Sequence, residues 1–200
     1  MPHELIILAP SPANAGNVVY KNYVRCCLDA GVHFPFGDDY TMWVGSQGPL
    51  GGVMVLPDEA AKMGAPPHWM GNVQVQDVDA TVARVKQLGG KVYKEPGDVP
   101  TVGRFAIIAD PQGAFLTVFK GLGEMAAHDT SKEGEFCWSE LTTSDSSAAW
   151  SFYAEICGWT LQQEMDMGPM GTYRVFGIGD QGIGGMMTTP PGSPMPPMWL

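Results

Sequence analysis

The chain has 200 residues, 44% of them hydrophobic, enough to bury one sizeable core or two small ones, which excludes a disordered chain. Eleven Lys and Arg against 21 Asp and Glu leave a formal charge of -10, a balance that repels phosphate backbones and anionic membrane surfaces and argues against nucleic acid as a partner. With 26 Gly and 17 Pro, the composition favours short strands joined by tight turns over a helical bundle.

The opening residues Met1-Pro2-His3-Glu4 carry no basic region, and the apolar run Leu5 to Ala9 is too short for an export signal or a membrane span. A cytoplasmic protein without a membrane partner is therefore expected. The adjacent Cys26 and Cys27, with Cys137 and Cys157, match neither a CxxC spacing nor a disulfide framework. Reduced thiols are expected, with Cys137 and Cys157 as small apolar core residues.

Tyr40 to Pro57, YTMWVGSQGPLGGVMVLP, returns without a gap 133 residues later as Tyr173 to Pro190, YRVFGIGDQGIGGMMTTP. Each copy leads to a Pro-rich stretch closing on an aromatic, Pro66-Pro67-His68-Trp69 and Pro196-Pro197-Met198-Trp199.

Between the copies lies one complete unit. Trp69 to Gln76 alternates as a strand, and Asp77 caps a helix with an apolar stripe at Val78, Val82, Val85 and Leu88. Gly89-Gly90 ends that helix. Lys91 to Tyr93 starts a second strand, a Pro/Gly loop runs to Gly103, and Arg104 to Ala109 is a third strand. Asp110-Pro111-Gln112-Gly113 turns into a fourth, Ala114 to Lys120, which completes a βαβββ order.

The order then repeats. Phe136 to Thr142 is a strand, Asp145 or Ser144 caps a helix that turns Ala149, Phe152, Tyr153 and Ile156 inward, and Gly158 stops it. Strands follow at Thr160 to Glu164, Tyr173 to Ile178 and Gly182 to Thr188. The expected organisation is a divergent partial module at 1–65, a complete module at 66–122, a linker at 123–133, and a third module with a Pro-rich tail at 134–200.

The runs HWMGNVQVQDVDATVARVKQLGGKV and GRFAIIADPQGAFLTVFK, followed by GEFCW, FY, GW and GGMM, resemble the glyoxalase/bleomycin-resistance/extradiol-dioxygenase, or vicinal oxygen chelate, superfamily. The likeness spans residues 40–200 and is greatest to the tandem-domain, glyoxalase-like members, whose chains are longer. It implies an α+β fold of repeated βαβββ modules forming half-open barrels, in which inward groups on the first and fourth strands hold a divalent metal. A fourth module is missing. Residues 1–39 lack the FY and GW signatures and echo the pattern only where His3-Glu4-Leu5 parallels Ser139-Glu140-Leu141 and Tyr20 keeps step with Tyr153, so they read as a divergent lid or a frameshifted segment.

At the ligand positions implied by the resemblance stand Met70, Trp138 and Thr117, none of them a good ligand, so no bound metal and no cofactor is expected. A displaced divalent-metal site would have to form around His68 and Glu140, too few groups for a shell. Glu140 is the catalytic candidate: a Glu amid an apolar strand either faces a cavity as a general base or is an edge residue paired with Arg174 or Lys132. The substrate-binding candidates are His68, Trp69, Arg104, Trp138, Tyr173 and Met187. The blander alternatives are a loop role for His68, solvent exposure for Arg104, and core packing for Trp138, Trp150 and Trp159.

Thirteen Met and six Trp suit the binding of varied apolar molecules. No P-loop, nucleophile elbow or H-E-x-x-H helix is present. Three functions fit a small organic molecule as partner: a glyoxalase-like lyase or hydrolase working from Glu140 without the usual metal, a sequestering protein of the bleomycin-resistance kind, or a metal-dependent lyase or dioxygenase. An odd number of modules leaves an unpaired sheet edge and an apolar face, which points to a homodimer.

Overall fold

A computed structural model of the protein describes residues 3–9, 32–33, 40–45, 47–62, 64–123, 129–132 and 136–200. Cys26, Cys27 and most of residues 1–39 lie outside them. Two units are formed, one from His3–Met70 and His128–Phe136, the other from Gly71–Ala127 and Cys137–Leu200.

In the first unit, β1 (His3–Ala9), β2 (Val32–His33), β3 (Tyr40–Gly45) and β4 (Gly48–Val55) lie in the order β2-β3-β4-β1. The neighbours β1 and β4 run parallel. A short helix, α1 (Asp58–Lys62), leads to β5 (His68–Gln74). Leu50 is buried against Val53, Trp69 and Phe136.

The second unit continues from β5 through α2 (Val78–Gln87), β6 (Lys91–Val99), β7 (Gly103–Ala109) and β8 (Phe115–Gly121). It then takes in β9 (Ser139–Thr143), α3 (Ser146–Cys157), β10 (Thr160–Asp166), β11 (Thr172–Ile178), β12 (Gln181–Thr188) and β13 (Met198–Trp199). The strand orders β5-β8-β7-β6 and β10-β11-β12-β9-β13 place the first strand of each βαβββ module beside its fourth, in parallel. The architecture is α+β, with open mixed sheets.

Local chemistry sets the helix ends as the sequence predicts. Asp77 accepts the Ala80 N–H at 3.0 Å to start α2, and Asp145 accepts the Ser147 and Ala148 N–H groups at 3.0 Å to start α3. Gly158 closes α3 in the left-handed region, φ 67°, with its N–H on the Ala154 carbonyl. Val78, Val82 and Val85 of α2 and Ala149, Phe152, Tyr153 and Ile156 of α3 are buried in one shared core with Trp159, Phe176, Met186 and Trp199. Arg84 and Glu155 pair across the two helices at 3.0 Å. Among the described residues, no helix is long and apolar enough to cross a membrane.

The eighteen-residue repeat is a structural repeat residue by residue. Thr41, Met42 and Trp43 pair with Val53, Gly52 and Gly51, and Arg174, Val175 and Phe176 pair with Met186, Gly185 and Gly184. Both ladders slip at the same step, after Trp43 and after Phe176, and resume with Val44 on Pro49 and Gly177 on Gly182. A shared irregularity at one position is a feature of the sequence pattern, since a bulge re-aims every later side chain.

Two expectations change. The stretch expected as a Pro/Gly loop after Tyr93 is part of β6, which pairs with β7 as far as Val99 on Gly103. Pro96 is tolerated because β6 is a sheet edge whose register shifts twice around it. The echo of Glu140 in the first unit also falls elsewhere: Ile6 lies opposite Gly52 as Glu140 lies opposite Gly185, so the parallel with His3-Glu4-Leu5 is displaced by two residues.

Candidate functional site

Leu141 and Thr143 on β9 are fully buried, and Leu141 joins the core that α3 covers, so strand alternation turns Glu140 and Thr142 to the opposite face of the sheet. On β11, Phe176 is buried in that same core and the Arg174 guanidinium binds the Ser146 hydroxyl at 2.8 Å. Tyr173 and Val175 therefore share the face of Glu140.

Strand β12 lies between Tyr173 and Glu140. The tyrosine reaches over it because the intervening residue is Gly185: a Cβ there would fall inside the Tyr173 hydroxyl and ring. The Tyr173 hydroxyl donates to Oε2 of Glu140 at 2.8 Å, and Trp138 Nε1 donates to the same oxygen at 2.9 Å. The indole N–H also lies 3.3 Å from the Tyr173 hydroxyl.

Burial, reinforced by the bond to Glu140, pushes the Tyr173 phenol above its ordinary value, so it stays a neutral donor. Both donors use Oε2 and not Oε1. Thr142, two residues along the strand, adds a buried hydroxyl that has no hydrogen-bond partner among the described residues, and Met187 is its register neighbour on β12.

This arrangement can be set beside known proteins. Residues 38–118 match the family described as the Glyoxalase/Bleomycin resistance protein/Dioxygenase superfamily. That region of the chain carries the superfamily's pattern. The protein called "Putative glyoxylase CFP32" of Mycobacterium tuberculosis is 35% identical over 135 residues, 67% of this chain and 51% of that one. "Anthracycline biosynthesis protein DnrV" of Streptomyces peucetius is 38% identical over 124 residues, 61% of this chain and 44% of that one. The chain thus spans about half the length of the curated relatives it matches.

Among solved structures, the Mn(II)-bound glyoxalase from Novosphingobium aromaticivorans gives a TM-score of 0.62 at 14% identity, over 94% of this chain and 61% of that one. BphC, a halotolerant catechol dioxygenase, gives 0.61 at 14% identity, over 94% of this chain and 65% of that one. At this identity the likeness establishes the glyoxalase/dioxygenase fold and nothing finer.

The described residues at the ligand positions that the resemblance implies do not suit a divalent metal. Met70 and Thr117 are buried, and Trp138 offers only an indole N–H, which cannot ligate. Among the described residues, no three His, Cys, Asp or Glu side chains gather around one point. Glu140 would also have to give up both bonds on Oε2 before that oxygen faced an ion.

The structure brings together Glu140, Trp138 and Tyr173, with Met187 on their sheet face. Glu140 pairs with neither Arg174 nor Lys132: Arg174 bonds Glu164 at 2.9 Å, on the helix side. Trp138 is 43% exposed, outside the core that Trp159 occupies. Arg104 stands apart, bound to Asp79 at 2.6 Å and Asp98 at 2.9 Å. These bonds raise its pKa further and hold Asp79 below the ordinary carboxylate range. His68 and Trp69 belong to the first unit, where Nδ1–H of His68 donates to the Pro66 carbonyl at 2.8 Å and Trp69 packs on Leu50.

Cys137 is exposed and Cys157 buried, and burial pushes the Cys157 thiol well above its ordinary value. Iodoacetamide on the folded protein is therefore expected to alkylate Cys137 and leave Cys157 untouched until the core opens, as peptide mass mapping would show. Rapid modification of Cys157 under native conditions would contradict the shared core.

Proposed function

We propose that the protein is a glyoxalase-like enzyme of lyase or hydrolase type that acts on a small organic molecule, with Glu140 as general base and no step routed through a metal. The observation that carries this reading is the convergence of Tyr173 and Trp138 on one oxygen of Glu140. That geometry fixes the carboxylate and leaves Oε1 to accept a proton, from a carbon beside a carbonyl in a lyase or from water in a hydrolase. As Glu140 neutralises, its hold on the Tyr173 hydroxyl weakens. The phenol, still protonated, can then turn its hydrogen to an oxygen that gains charge in the substrate. Thr142 supplies a further hydroxyl for orientation, while Trp138 and Met187 offer apolar contact.

The relatives' names put small carbonyl compounds and anthracycline-type aromatics first among the compounds to screen. Replacing Glu140 by Gln keeps its shape and removes the base, so turnover of a substrate found in that screen is expected to fall by at least about 100-fold. Undiminished turnover in Glu140→Gln would refute the assignment. Elemental analysis of protein purified without chelator completes the test, because stoichiometric metal would favour a metal-dependent lyase or dioxygenase.

A second reading, a bleomycin-resistance-type protein that holds its ligand without turnover, is favoured by the exposure of Trp138 beside the site. Tight binding of an aromatic compound, with no product formed, would select it. With either reading we place the protein in the cytoplasm as a homodimer, since Leu122, Leu161, Met167 and Met170 are exposed as well. Sedimentation that finds only monomer at micromolar concentration would remove the dimer.

A further inference from the structure

We infer that the sheet face carrying Glu140, Trp138 and Tyr173 takes an organic cation, a small molecule whose ammonium group stands beside a flat apolar part. This names the ligand class of the site proposed above and rests on that site.

The first observation is charge. Within residues 137–200 the acids are Glu140, Asp145, Glu155, Glu164, Asp166 and Asp180, Arg174 is the sole Lys or Arg, and there is no His. Six acids against one cation leave this module a formal charge of -5. Arg174 does not relieve it at the site, since it binds Glu164 at 2.9 Å and the Ser146 hydroxyl at 2.8 Å on the helix side of the sheet. Glu140 is held by two neutral donors, the Tyr173 hydroxyl and Trp138 Nε1. Among the described residues no cation pairs with it. Neutral donors fix a carboxylate without cancelling its charge.

The second observation is the surface around that charge. Trp138 is 43% exposed, yet its indole N–H is anchored on Glu140 and its ring reaches β12, where a Cβ on Gly182 would stand 3.8 Å from ring carbon Cζ3. The indole is therefore held at two edges while much of the ring still meets solvent. Register adds thioethers to this face: Met165 lies opposite Tyr173, and Met187 and Met198 flank Thr142.

An exposed indole and thioethers beside a carboxylate with no counter-cation suit an ammonium. The ring quadrupole and the carboxylate both attract its charge, and the apolar surface takes the attached carbon skeleton. An anionic ligand would be repelled by Glu140 and by the module's surplus of acids. A neutral ligand would strip water from the carboxylate and return no charge to it. An ammonium seated over the indole is attracted by the whole carboxylate and needs no bond to the oxygen that takes the proton.

The test measures binding of three probes to the full chain by ligand-observed NMR relaxation: benzyltrimethylammonium, benzyl alcohol and benzoate. The quaternary ammonium keeps its charge at every pH, and the comparison of probes on native protein needs no variant. The cation is expected to bind at least about tenfold tighter than the alcohol, and benzoate more weakly than either. Glu140→Gln should weaken the cation at least about fivefold and leave the alcohol within about twofold of its native affinity. Trp138→Leu should weaken the cation about three- to fivefold, and Trp138→Phe, which keeps an aromatic face, should regain part of that loss.

Equal binding of cation and alcohol, or no saturation by the cation up to about 10 mM, overturns the inference. A preference for the cation that survives in Glu140→Gln assigns it to the general acidity of the module and overturns the inference as well. The proposed base fails separately. If Glu140→Gln keeps its turnover and loses the cation, the ligand class stands and the base does not. If turnover falls and native protein shows no preference for the cation, the base stands and the ligand class does not.

Discussion

Replacing Gly185 by Val is expected to abolish turnover and to lower stability by about 1–3 kcal/mol through overpacking. The reason lies in strand order. Tyr173 and Glu140 stand on β11 and β9, with β12 between them, so the phenol can meet the carboxylate only by lying across the main chain of β12. Any Cβ at 185 occupies the place of the Tyr173 hydroxyl and ring.

Valine cannot yield there, since its branched Cβ is stiff. Tyr173 must leave, and Glu140 then keeps only the Trp138 bond. Tyr173→Ala in the Gly185→Val background should restore much of the stability and none of the activity, a split read by thermal melting and by turnover on the same samples. If Gly185→Val alone retains full activity, the bond from Tyr173 to Glu140 has no part in the site.

The repeat made most of the fold legible. Its two copies share spacing in the sequence and register in the sheet, and the caps at Asp77, Asp145 and Gly158 are local chemistry that needs no knowledge of the rest. Lys94 to Val99 escaped because Pro96 and Gly97 describe a loop when read locally, whereas the neighbouring strand β7 accepts them at an irregular edge. Glu140 stood out as a carboxylate in an apolar strand, but its partners did not.

Charge complementarity suggested Arg174, and Arg174 instead alternates to the helix face with Glu164 and Ser146. The glycine pair did carry a signal: a repeated Gly-Gly in a strand means that something must approach closely. What approaches, Tyr173, depends on which strand is neighbour to which, and that is a property of the assembled sheet. Thr142 was unreadable for the same reason, because the burial of a hydroxyl is set by distant residues.

Asp110 shows the same limit in the core, and its loss should carry the larger stability effect. In the sequence it is a turn residue. In the structure it is 1% exposed and works in three directions: Oδ1 accepts the Gly113 and Ala114 N–H groups at 2.7 and 2.8 Å, and Oδ2 accepts the Tyr153 hydroxyl at 3.0 Å. Tyr153 in turn accepts the Trp199 indole N–H, so one carboxylate ties the β7–β8 turn to α3 and to β13.

Asp110→Ala leaves these donors without their acceptor in the core, an expected loss of about 2–4 kcal/mol. For a chain of this size that lowers the melting temperature by roughly 5–15 °C. Tyr153→Phe should cost less, because the carboxylate keeps its two backbone bonds.

The pH dependence has a definite sign. Burial pushes the Asp110 carboxyl above the ordinary aspartate value of 3.8, against the opposing pull of the Ala114, Tyr153 and Gly113 donors. The folded protein therefore holds this proton to higher pH than the unfolded chain does. Its contribution to stability is greatest below pH 3.8 and declines as pH rises through the folded-state value. Urea unfolding at pH 7 and again near pH 4 should show native protein gaining on Asp110→Asn as the solution is acidified. A gap that narrows on acidification would mean that the ionised form is the favoured one, and that its three donors outweigh the cost of burying the charge.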